Sequence, residues 1–261
     1  MRQLNFIACV FALISCFERT QITGKLIYIV PLANETCPEE PCITISQFAS
    51  NIVNDYVDLN NTLRLAFLPG NHSLYHKMII KNVSTLTITA LFPVSQATVI
   101  CMHCTGFVFS GIYQIHMSGL VFVGCGGSKI ELVNQFILID CSIFGGQANC
   151  GSGIHLLNVS AKIVSSSFVS NLHGSKQMYK LLCRNTSSCI GHGGGAISIL
   201  SYSNTVIIDS LFEGNHAEFE IGGVIVAKSF SNTTIINTTF VRNQVDCRTP
   251  DFICSGGAFY C

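Results

Sequence analysis

Two segments of this chain carry almost the same 22-residue sequence. Residues 194–215 read GGAISILSYSNTVIIDSLFEGN and residues 222–243 read GGVIVAKSFSNTTIINTTFVRN, with 11 identical positions. The distance of 28 residues between them lies in the range typical of stacked repeat proteins. A shorter third copy occupies 151–171, and residues 256–261 begin another. A chain written this way is constrained to fold as a stack of similar units.

The segments between the glycines and the closing F-x-x-N are short runs of Ile, Val, Thr and Ser, without helical periodicity. Such runs are typical of β-strands. Short strands with one glycine turn per repeat predict an all-β fold, a parallel β-helix in which each coil stacks on the one before. A β-sandwich with accidental internal similarity is the alternative.

The repeated residue types have distinct expected roles. Phenylalanine side chains would point inward and stack from coil to coil. Asparagine side chains would satisfy backbone groups at a turn and bond to the amide of the next coil. Glycines would allow positive φ angles and close approach of neighbouring coils. The residues concerned are Gly194, Gly195, Gly222, Gly223, Phe168, Phe212, Phe240, Asn171, Asn215 and Asn243.

Fainter copies of the repeat lie upstream of residue 151. Phe144 with Gln147, and Phe122 with Cys125, have the spacing expected for the phenylalanine and asparagine positions. They extend the predicted β-helix towards the N-terminus.

The GGA[I/V] and F-x-x-N motifs resemble the repeat of the chlamydial polymorphic outer-membrane proteins and, more broadly, the right-handed β-helix superfamily that includes pectate lyases. The resemblance covers residues 151–261 and is only suggestive upstream. It implies a right-handed parallel β-helix. In the bacterial group the repeats form surface-displayed adhesins, so the resemblance also implies surface display and adhesion.

The chain begins with one basic residue and an apolar run from Phe6 to Phe17. This run is too short to span a bilayer, and it predicts a secretory signal peptide. No later stretch is apolar for long enough to predict a membrane span. The domain prediction is a signal peptide at 1–20, an N-terminal cap region at 21–62 and a parallel β-helix at 63–261.

Both ends of a solenoid need covering, because an open end exposes strand edges and core. Ile45, Phe48, Ala49 and Ile52 have helical spacing and predict a short cap helix over the first coil. At the other end the last repeat stops without its closing F-x-x-N. The β-helix is therefore expected to be truncated there, and to continue into further coils or to meet a partner.

Cysteines and glycosylation sequons both favour secretion. Two of the 14 cysteines lie in the predicted signal peptide, which leaves an even number to pair in an oxidising compartment. The chain also carries N-x-S/T sequons, which predict N-linked glycans on a secreted or extracellular surface protein. They begin at Asn34, Asn60, Asn71, Asn82, Asn158, Asn185, Asn232 and Asn237.

Several cysteines are close enough in sequence to predict structural disulfides. Cys101 and Cys104 have C-x-x-C spacing, but a redox site needs a βαβ context and a zinc site needs a second ligand pair. A structural disulfide, with Cys125 one coil onward as a candidate partner, is the favoured interpretation. No metal or cofactor is predicted. The local pairs predicted elsewhere are Cys37–Cys42, Cys183–Cys189 and Cys247–Cys254.

Insertions between repeats all fall at one point of the predicted coil. Between each closing Asn, or Gln147, and the next glycine there are 3, 22, 6 and 12 residues. Loops on a rigid scaffold often form binding sites, so this flank is the predicted binding surface.

The chain offers few residues for catalysis. A GHG sequence around His192 also occurs in polygalacturonases, but those enzymes need clustered aspartates. Counting three residues before each phenylalanine gives Cys141, Ser165, Asp209 and Asn237, only one of which is acidic. If the chain is an enzyme, His192, Asp209 and Arg242 are the weak candidates, with Arg242 a base without a partner. Tyr113, Tyr202 and Tyr260 could stack on sugars in place of tryptophan, which is absent.

The favoured function is therefore a secreted or surface-displayed, glycosylated β-helix that acts as a non-catalytic recognition or adhesion module. Its expected partner is a carbohydrate or an extracellular protein. A net charge of zero, with 11% charged residues, gives no reason to expect nucleic acid binding. A polysaccharide lyase or glycoside hydrolase of the same fold is the first alternative. A fragment of a larger extracellular protein is the second.

Overall fold

The described residues of the chain form an all-β fold with one short helix, and all their strand pairs are parallel. The strands lie in three sheets, here called A, B and C. A computed structural model describes residues 26–31, 41–50, 57, 60–92, 96–102, 106–148, 152–173, 194–218, 223–246 and 258–260.

The 14 strands of sheet A form two adjacent stacks, here called the first and second columns. Strands β11 and β14 are long enough to belong to both columns and so connect them. The first column contains β5 (Met78–Lys81), β8 (Phe107–Ser110), the first parts of β11 (Ser128–Ile139) and β14 (Ile154–Val164), β17 (Ile197–Leu200), β21 (Ile225–Ala227) and β25 (Phe259–Tyr260). The second contains β2 (Cys42–Thr44), β1 (Leu26–Val30), β3 (Thr62–Phe67), β6 (Thr85–Ala90), β9 (Gln114–Ser118), the second parts of β11 and β14, β18 (Asn204–Ile208) and β22 (Asn232–Ile236).

Sheets B and C continue the coil after the second column. Sheet B contains β4 (Gly70–Leu74), β7 (Ala97–Cys101), β10 (Leu120–Val123), β12 (Ser142–Phe144), β15 (Ser167–Val169), β19 (Leu211–Glu213) and β23 (Thr239–Val241). Sheet C contains β13 (Gln147–Ala148), β16 (Leu172–His173), β20 (His216–Glu218) and β24 (Gln244–Asp246).

One coil passes through the two columns of sheet A, then sheet B, then sheet C, and returns to the first column. Each strand pairs with its equivalent in the next coil: Ile197 lies opposite Ile225, Thr205 opposite Thr233 and Phe212 opposite Phe240. These stacked parallel sheets are consistent with a solenoid-like β-helix.

Aromatic side chains stack along the interior behind sheet B. The ring centroids of Phe168 and Phe212 are 4.9 Å apart, and those of Phe212 and Phe240 are 5.1 Å apart. The rings are nearly parallel, and Phe168 and Phe212 are fully buried. Parallel pairing places identical side chains directly above one another, so the rings of successive repeats are removed from water together.

An asparagine ladder lies three residues after these rings. Asn171 Nδ2 donates to Asn215 Oδ1 at 2.9 Å, and Asn215 Nδ2 donates to Asn243 Oδ1 at 3.0 Å. Each Oδ1 also accepts the backbone N–H of the preceding asparagine. Each Nδ2 donates in addition to a backbone carbonyl of an earlier coil, including those of Phe168 and Phe212. The buried amides of Asn171 and Asn215 are thus used fully.

The glycine pair that opens the repeat is required for close packing rather than for positive φ. Gly194 and Gly195 are not among the glycines with positive φ. A Cβ atom on Gly195 would lie 2.4 Å from the carbonyl oxygen of Gly223, whereas the backbone N–H of Gly195 donates to that oxygen at 3.0 Å. The expectation of positive φ here was wrong, and close approach of neighbouring coils is the reason for these glycines. Gly222 lies outside the described residues.

Of the two upstream copies, the one at Phe122 and Cys125 is aligned as predicted, since Phe122 lies opposite Ile143, but the one at Phe144 is shifted by one residue. Ile143, not Phe144, lies opposite Phe168 and is buried, while Phe144 is 46% exposed on the outer face of sheet B. Gly146, not Gln147, therefore occupies the asparagine position, and its N–H donates to Asn171 Oδ1 at 2.9 Å. A shift of one residue in a strand exchanges the inner and outer faces.

The region predicted as a cap contains strands as well as a helix. Strand β1 pairs with both β2 and β3, so parallel pairing already begins within 21–62. Helix α1 (Ile45–Ser50) follows β2 directly and buries Ile45 and Phe48 in the core. Its Ser46 Oγ donates to the Ser73 carbonyl at 2.6 Å. That this helix caps the stack stays a prediction, and Ile52 and the signal peptide region lie outside the described residues.

A disulfide between Cys101 and Cys125 connects two successive coils of sheet B. Its existence confirms the structural interpretation of Cys101, with Cys125 as the partner. Cys125 occupies the position that the asparagine ladder takes in later coils, so the bond replaces the amide contact there. Cys42 is also disulfide-bonded, to a cysteine outside the described residues. Among the local pairs, Cys37, Cys183, Cys189, Cys247 and Cys254 lie outside the described residues.

Candidate binding surface

Two corners of the coil keep the same length in four successive coils. Each consists of two residues, and the first of the two has a positive φ. Between sheets A and B these are Asp140–Cys141, Ser165–Ser166, Asp209–Ser210 and Asn237–Thr238. Between sheets B and C they are Gly145–Gly146, Ser170–Asn171, Gly214–Asn215 and Arg242–Asn243.

Side-chain ladders hold both corners. At the corner between sheets B and C the asparagines form the ladder described above. At the corner between sheets A and B, the N–H of Cys141 donates to Ser166 Oγ at 3.2 Å, that of Ser166 to Ser210 Oγ at 3.3 Å, and that of Ser210 to Thr238 Oγ1 at 3.4 Å. Each hydroxyl accepts a hydrogen bond from a backbone N–H of the preceding coil. The same hydrogen bond therefore stabilises this corner in each coil.

The corner between sheet C and the first column varies in length. The connecting segments are 149–153, 174–196, 219–224 and 247–258. Each segment follows the last residue of a strand in sheet C and leads to the first residue of a strand in the first column of sheet A. The insertions therefore share one corner of the coil, as the insertion pattern predicts. The predicted insertions began too early, however, since their first residues form β16, β20 and β24. Sheet C was missed because its strands have only two or three residues, too few to show a period.

A groove of about 360 Å³ lies at the bend between the two columns of sheet A. Three successive coils contribute to it through β11, β14, and β18 with the turn before it. Its lining contains amides, hydroxyls and apolar groups but no carboxylate, histidine or basic side chain. The lining residues are Leu132, Val133, Asn134, Asn158, Val159, Ser160, Tyr202 and Asn204.

Exposed aromatic residues lie beside this groove. The rings of Tyr202 and Phe230 stack at 5.3 Å with an interplanar angle of 11°, yet their residues are 71% and 85% exposed. Leu132, Tyr202 and Phe230 all have positive φ, which is a rare conformation for bulky residues. Strain of this kind clusters at functional sites and motivates a functional hypothesis for the bend.

Sequence reasoning found part of this surface. Tyr113 and Tyr202 were expected as sugar-stacking residues, and both are exposed at the bend between the columns. Tyr260 lies in β25, and its side chain is outside the described residues. Leu132, Phe230 and the groove itself were missed. The only signal was a bulky apolar residue at the same repeat position, YSN in one copy and FSN in the next.

The weak catalytic candidates are not brought together as an active site. Asp209 lies at the corner between sheets A and B, where Asn237 Nδ2 donates to its Oδ1 at 2.5 Å. Arg242 lies at the corner between sheets B and C and forms an ion pair with Glu213. The expectation that Arg242 lacks a partner was therefore wrong, because Glu213 belongs to the adjacent coil. His192 lies outside the described residues.

The corrected register also changes which residues occupy the repeat position that the sequence analysis searched for carboxylates. Asp140, not Cys141, is equivalent to Ser165, Asp209 and Asn237, so two of the four residues are acidic. Asp140 and Asp209 are both exposed and lie two coils apart. At ~4.8 Å per coil, this separates their backbones by about 10 Å.

The outer face of the first column is buried around His155. His155 points outward from β14 but is only 6% exposed, and its Nδ1 has no hydrogen-bond partner among the described residues. Burial, followed by repulsion from Lys129, lowers the pKa of His155 to about 4. In the register, Lys129 and Ser198 lie on either side of His155. Lys129 itself forms an ion pair with Glu131 at 2.5 Å, which lowers the pKa of that carboxyl.

The described sequon asparagines all lie at the surface. Asn60, Asn71, Asn82, Asn158, Asn232 and Asn237 are exposed. Asn34 and Asn185 lie outside the described residues. Exposure is what attachment of a glycan requires.

Within the described ranges, no three His, Cys, Asp or Glu side chains are arranged so that they could hold a metal ion. Cys141 has a free thiol, but burial raises its pKa to about 12, which makes it a poor ligand or nucleophile. The helix in the described part of the chain is too short and too polar to cross a membrane.

The chain matches no protein-family model, and searches among curated proteins and solved structures found no match either.

Proposed function

We propose that this protein is a secreted or cell-surface, glycosylated right-handed β-helix that acts as a non-catalytic recognition or adhesion module. The variable corner between sheet C and the first column carries the binding surface. One observation carries the proposal: from β11 to β24 the corners between sheets A and B and between sheets B and C have two residues in each coil, whereas this corner ranges from 149–153 to 174–196. A rigid scaffold with variable segments on one side is the usual arrangement of loop-built binding sites.

Disulfide bonds and exposed sequon asparagines support secretion and glycosylation. The Cys101–Cys125 disulfide and the disulfide of Cys42 favour an oxidising compartment. Six sequon asparagines are exposed at strand ends, turns and the bend. Glycans there would cover faces other than the variable corner, which carries one further sequon at Asn185.

The test is expression of the full chain in a eukaryotic secretory host, followed by binding to arrays of acidic and neutral polysaccharides and of extracellular matrix proteins. Replacing 174–193 by a short glycine–serine linker retains β16 and should abolish binding. Phe144→Ala, on the outer face of sheet B, is the matched control and should bind normally. Unchanged binding after the replacement would remove the variable corner as the interface. Retention of the chain inside the cell would contradict the whole proposal.

A polysaccharide lyase or glycoside hydrolase is the second candidate, because Asp140 and Asp209 share one exposed row. A spacing near 10 Å is slightly beyond that of inverting glycosidases. Release of reducing or unsaturated ends in the same array, lost in Asp140→Asn and Asp209→Asn, would establish this function. Binding without release of ends supports the recognition module.

A further inference from the structure

A single sequon supplies three neighbouring residues of the groove at the bend. Asn158, Val159 and Ser160 all line it, and Asn158 is exposed with a positive φ of 55°. The side-chain amide of Asn158 makes no hydrogen bond within the described residues. A glycan attached to this nitrogen would start inside the groove rather than extend directly into solvent.

Tyr202 offers an aromatic surface to the same groove from the next coil. One face of its ring packs on Phe230, at a centroid distance of 5.3 Å, so the ring is held in place and its remaining surface is available. A pyranose has an apolar face of C–H groups that packs against aromatic rings, and its hydroxyl and acetamido groups need polar partners. The exposed amides of Asn134 and Asn204 lie in the groove wall and can supply them.

We propose that the groove seats the first N-acetylglucosamine of an N-linked glycan carried by Asn158, with Tyr202 as its stacking platform. This inference rests on the secretion included in the proposed function. The groove volume of about 360 Å³ lies at the lower end of small-ligand sites. That suits one or two sugar rings. A stacked aromatic pair that would otherwise expose apolar surface to water is then covered by the glycan.

The attachment itself is the ordinary sequon reaction with a lipid diphosphate-linked oligosaccharide as donor. The side-chain nitrogen of Asn158 forms a bond to C1 of the first sugar, and the bond from C1 to the diphosphate oxygen breaks. The amide loses one proton, and the lipid diphosphate leaves with the electron pair of the broken bond. The protein contributes the acceptor and, after folding, the seat.

The experiment compares four forms of the secreted chain: unchanged, Tyr202→Asn, Ser160→Ala and the double variant. Tyr202→Asn suits the positive φ of this position, since Asn tolerates it, and should therefore fold. Ser160→Ala removes the sequon but keeps Asn158. Tyr75→Ala, an exposed tyrosine after β4, is the matched control. Glycopeptide mass spectrometry measures occupancy, and denaturant unfolding measures stability.

Asn158 should be occupied, and the stabilising contact between glycan and ring should be worth about fivefold in the unfolding equilibrium constant. Tyr202→Asn should remove this contribution only where the glycan is present. An upfield shift of the N-acetyl methyl proton resonance should accompany the contact and disappear in Tyr202→Asn. Tyr75→Ala should leave both readouts unchanged.

Three outcomes separate the two proposals. Other sequons occupied with Asn158 empty would overturn the seat but leave the secreted glycoprotein intact. Asn158 occupied, with additive effects of the two substitutions and no methyl shift, would also overturn the seat alone. A chain that is not secreted, or carries no glycan at any sequon, would overturn the proposed function and with it this inference.

Discussion

The corner between sheets B and C and the corner between sheet C and the first column of sheet A differ in length and in side-chain order. The first has two residues in each of four coils and a ladder of buried asparagines. The second ranges from segment 149–153 to segment 174–196. The same chain passes through both corners once in every coil, so the repeat itself does not impose this difference.

A corner with fixed length can align side chains from coil to coil, because its residues recur at the same height and direction. Asn171 and Asn215 exploit this by satisfying both their own amides and the backbone of neighbouring coils. A corner of varying length cannot form such a ladder, but it can present different surfaces. Stability is therefore concentrated at the constant corners, and diversity at the variable one.

The largest effect is expected from removing the aromatic stack beside the constant corner. Phe212→Ala should lower the free energy of unfolding by about 4 kcal/mol, because it leaves a cavity between Phe168 and Phe240. Phe144→Ala is the control: the same substitution on the exposed face of sheet B should cost well under 1 kcal/mol. Chemical denaturation of the two variants measures the difference. Equal costs would mean that the stack does not stabilise the fold.

A smaller loss is expected where a disulfide takes the place of the ladder. Replacing both Cys101 and Cys125 by serine should cost about 3 kcal/mol, because the bond closes a loop with a sequence separation of 24. Thermal unfolding of the double variant and of the unchanged chain, both without reductant, gives the measurement. An unchanged melting temperature would show that this early part of the stack is held by its strand pairing alone.

Breaking the ladder itself should cost about 2 kcal/mol. Asn215→Ala removes an acceptor for Asn171 and a donor to the Phe168 carbonyl, and leaves buried polar groups unpaired. Gln135→Ala, at an exposed amide of sheet A outside the groove, should be close to neutral. Hydrogen exchange of the Asn171 amide offers a second, local readout. Protection of this amide equal to that in the unchanged chain would contradict the role given to the ladder.

The smallest effect is expected in the first column of sheet A, which follows the variable corner in the chain. There the burial of His155 should make the free energy of unfolding depend on pH. The pKa of His155 is about 4 in the folded protein and near 6.5 when unfolded. Between these values the unfolded chain binds more protons, so stability is full above pH 6.5 and falls as pH decreases towards 4. The slope attributable to His155 should reach at most about 1.4 kcal/mol per pH unit. Denaturation between pH 7 and 4.5 should show this slope reduced in His155→Gln, and an identical slope in both would reject it.

Much of the scaffold could be predicted from residue types and spacing. The 28-residue period and the strand composition predicted stacked parallel strands. The shared F-x-x-N motif predicted that Phe168, Phe212 and Phe240 stack on one another. Of the two copies upstream, Phe122 was aligned correctly and Phe144 was not. Phe144 was given the inward position that Ile143 occupies, since both are large and apolar and only strand register distinguishes them.

The candidate site shows where sequence information ends. Sequence alone determined the coil, because repetition and the preference for burying large apolar side chains act on local patterns. Only the tertiary structure decided that Leu132, Asn158 and Tyr202 share a groove, because they come from three coils separated by insertions of different length. The same holds for the ion pair of Arg242 with Glu213 and for the burial of His155. Contacts between coils depend on the length and path of every corner in each coil. The sequence of a single segment does not determine that path.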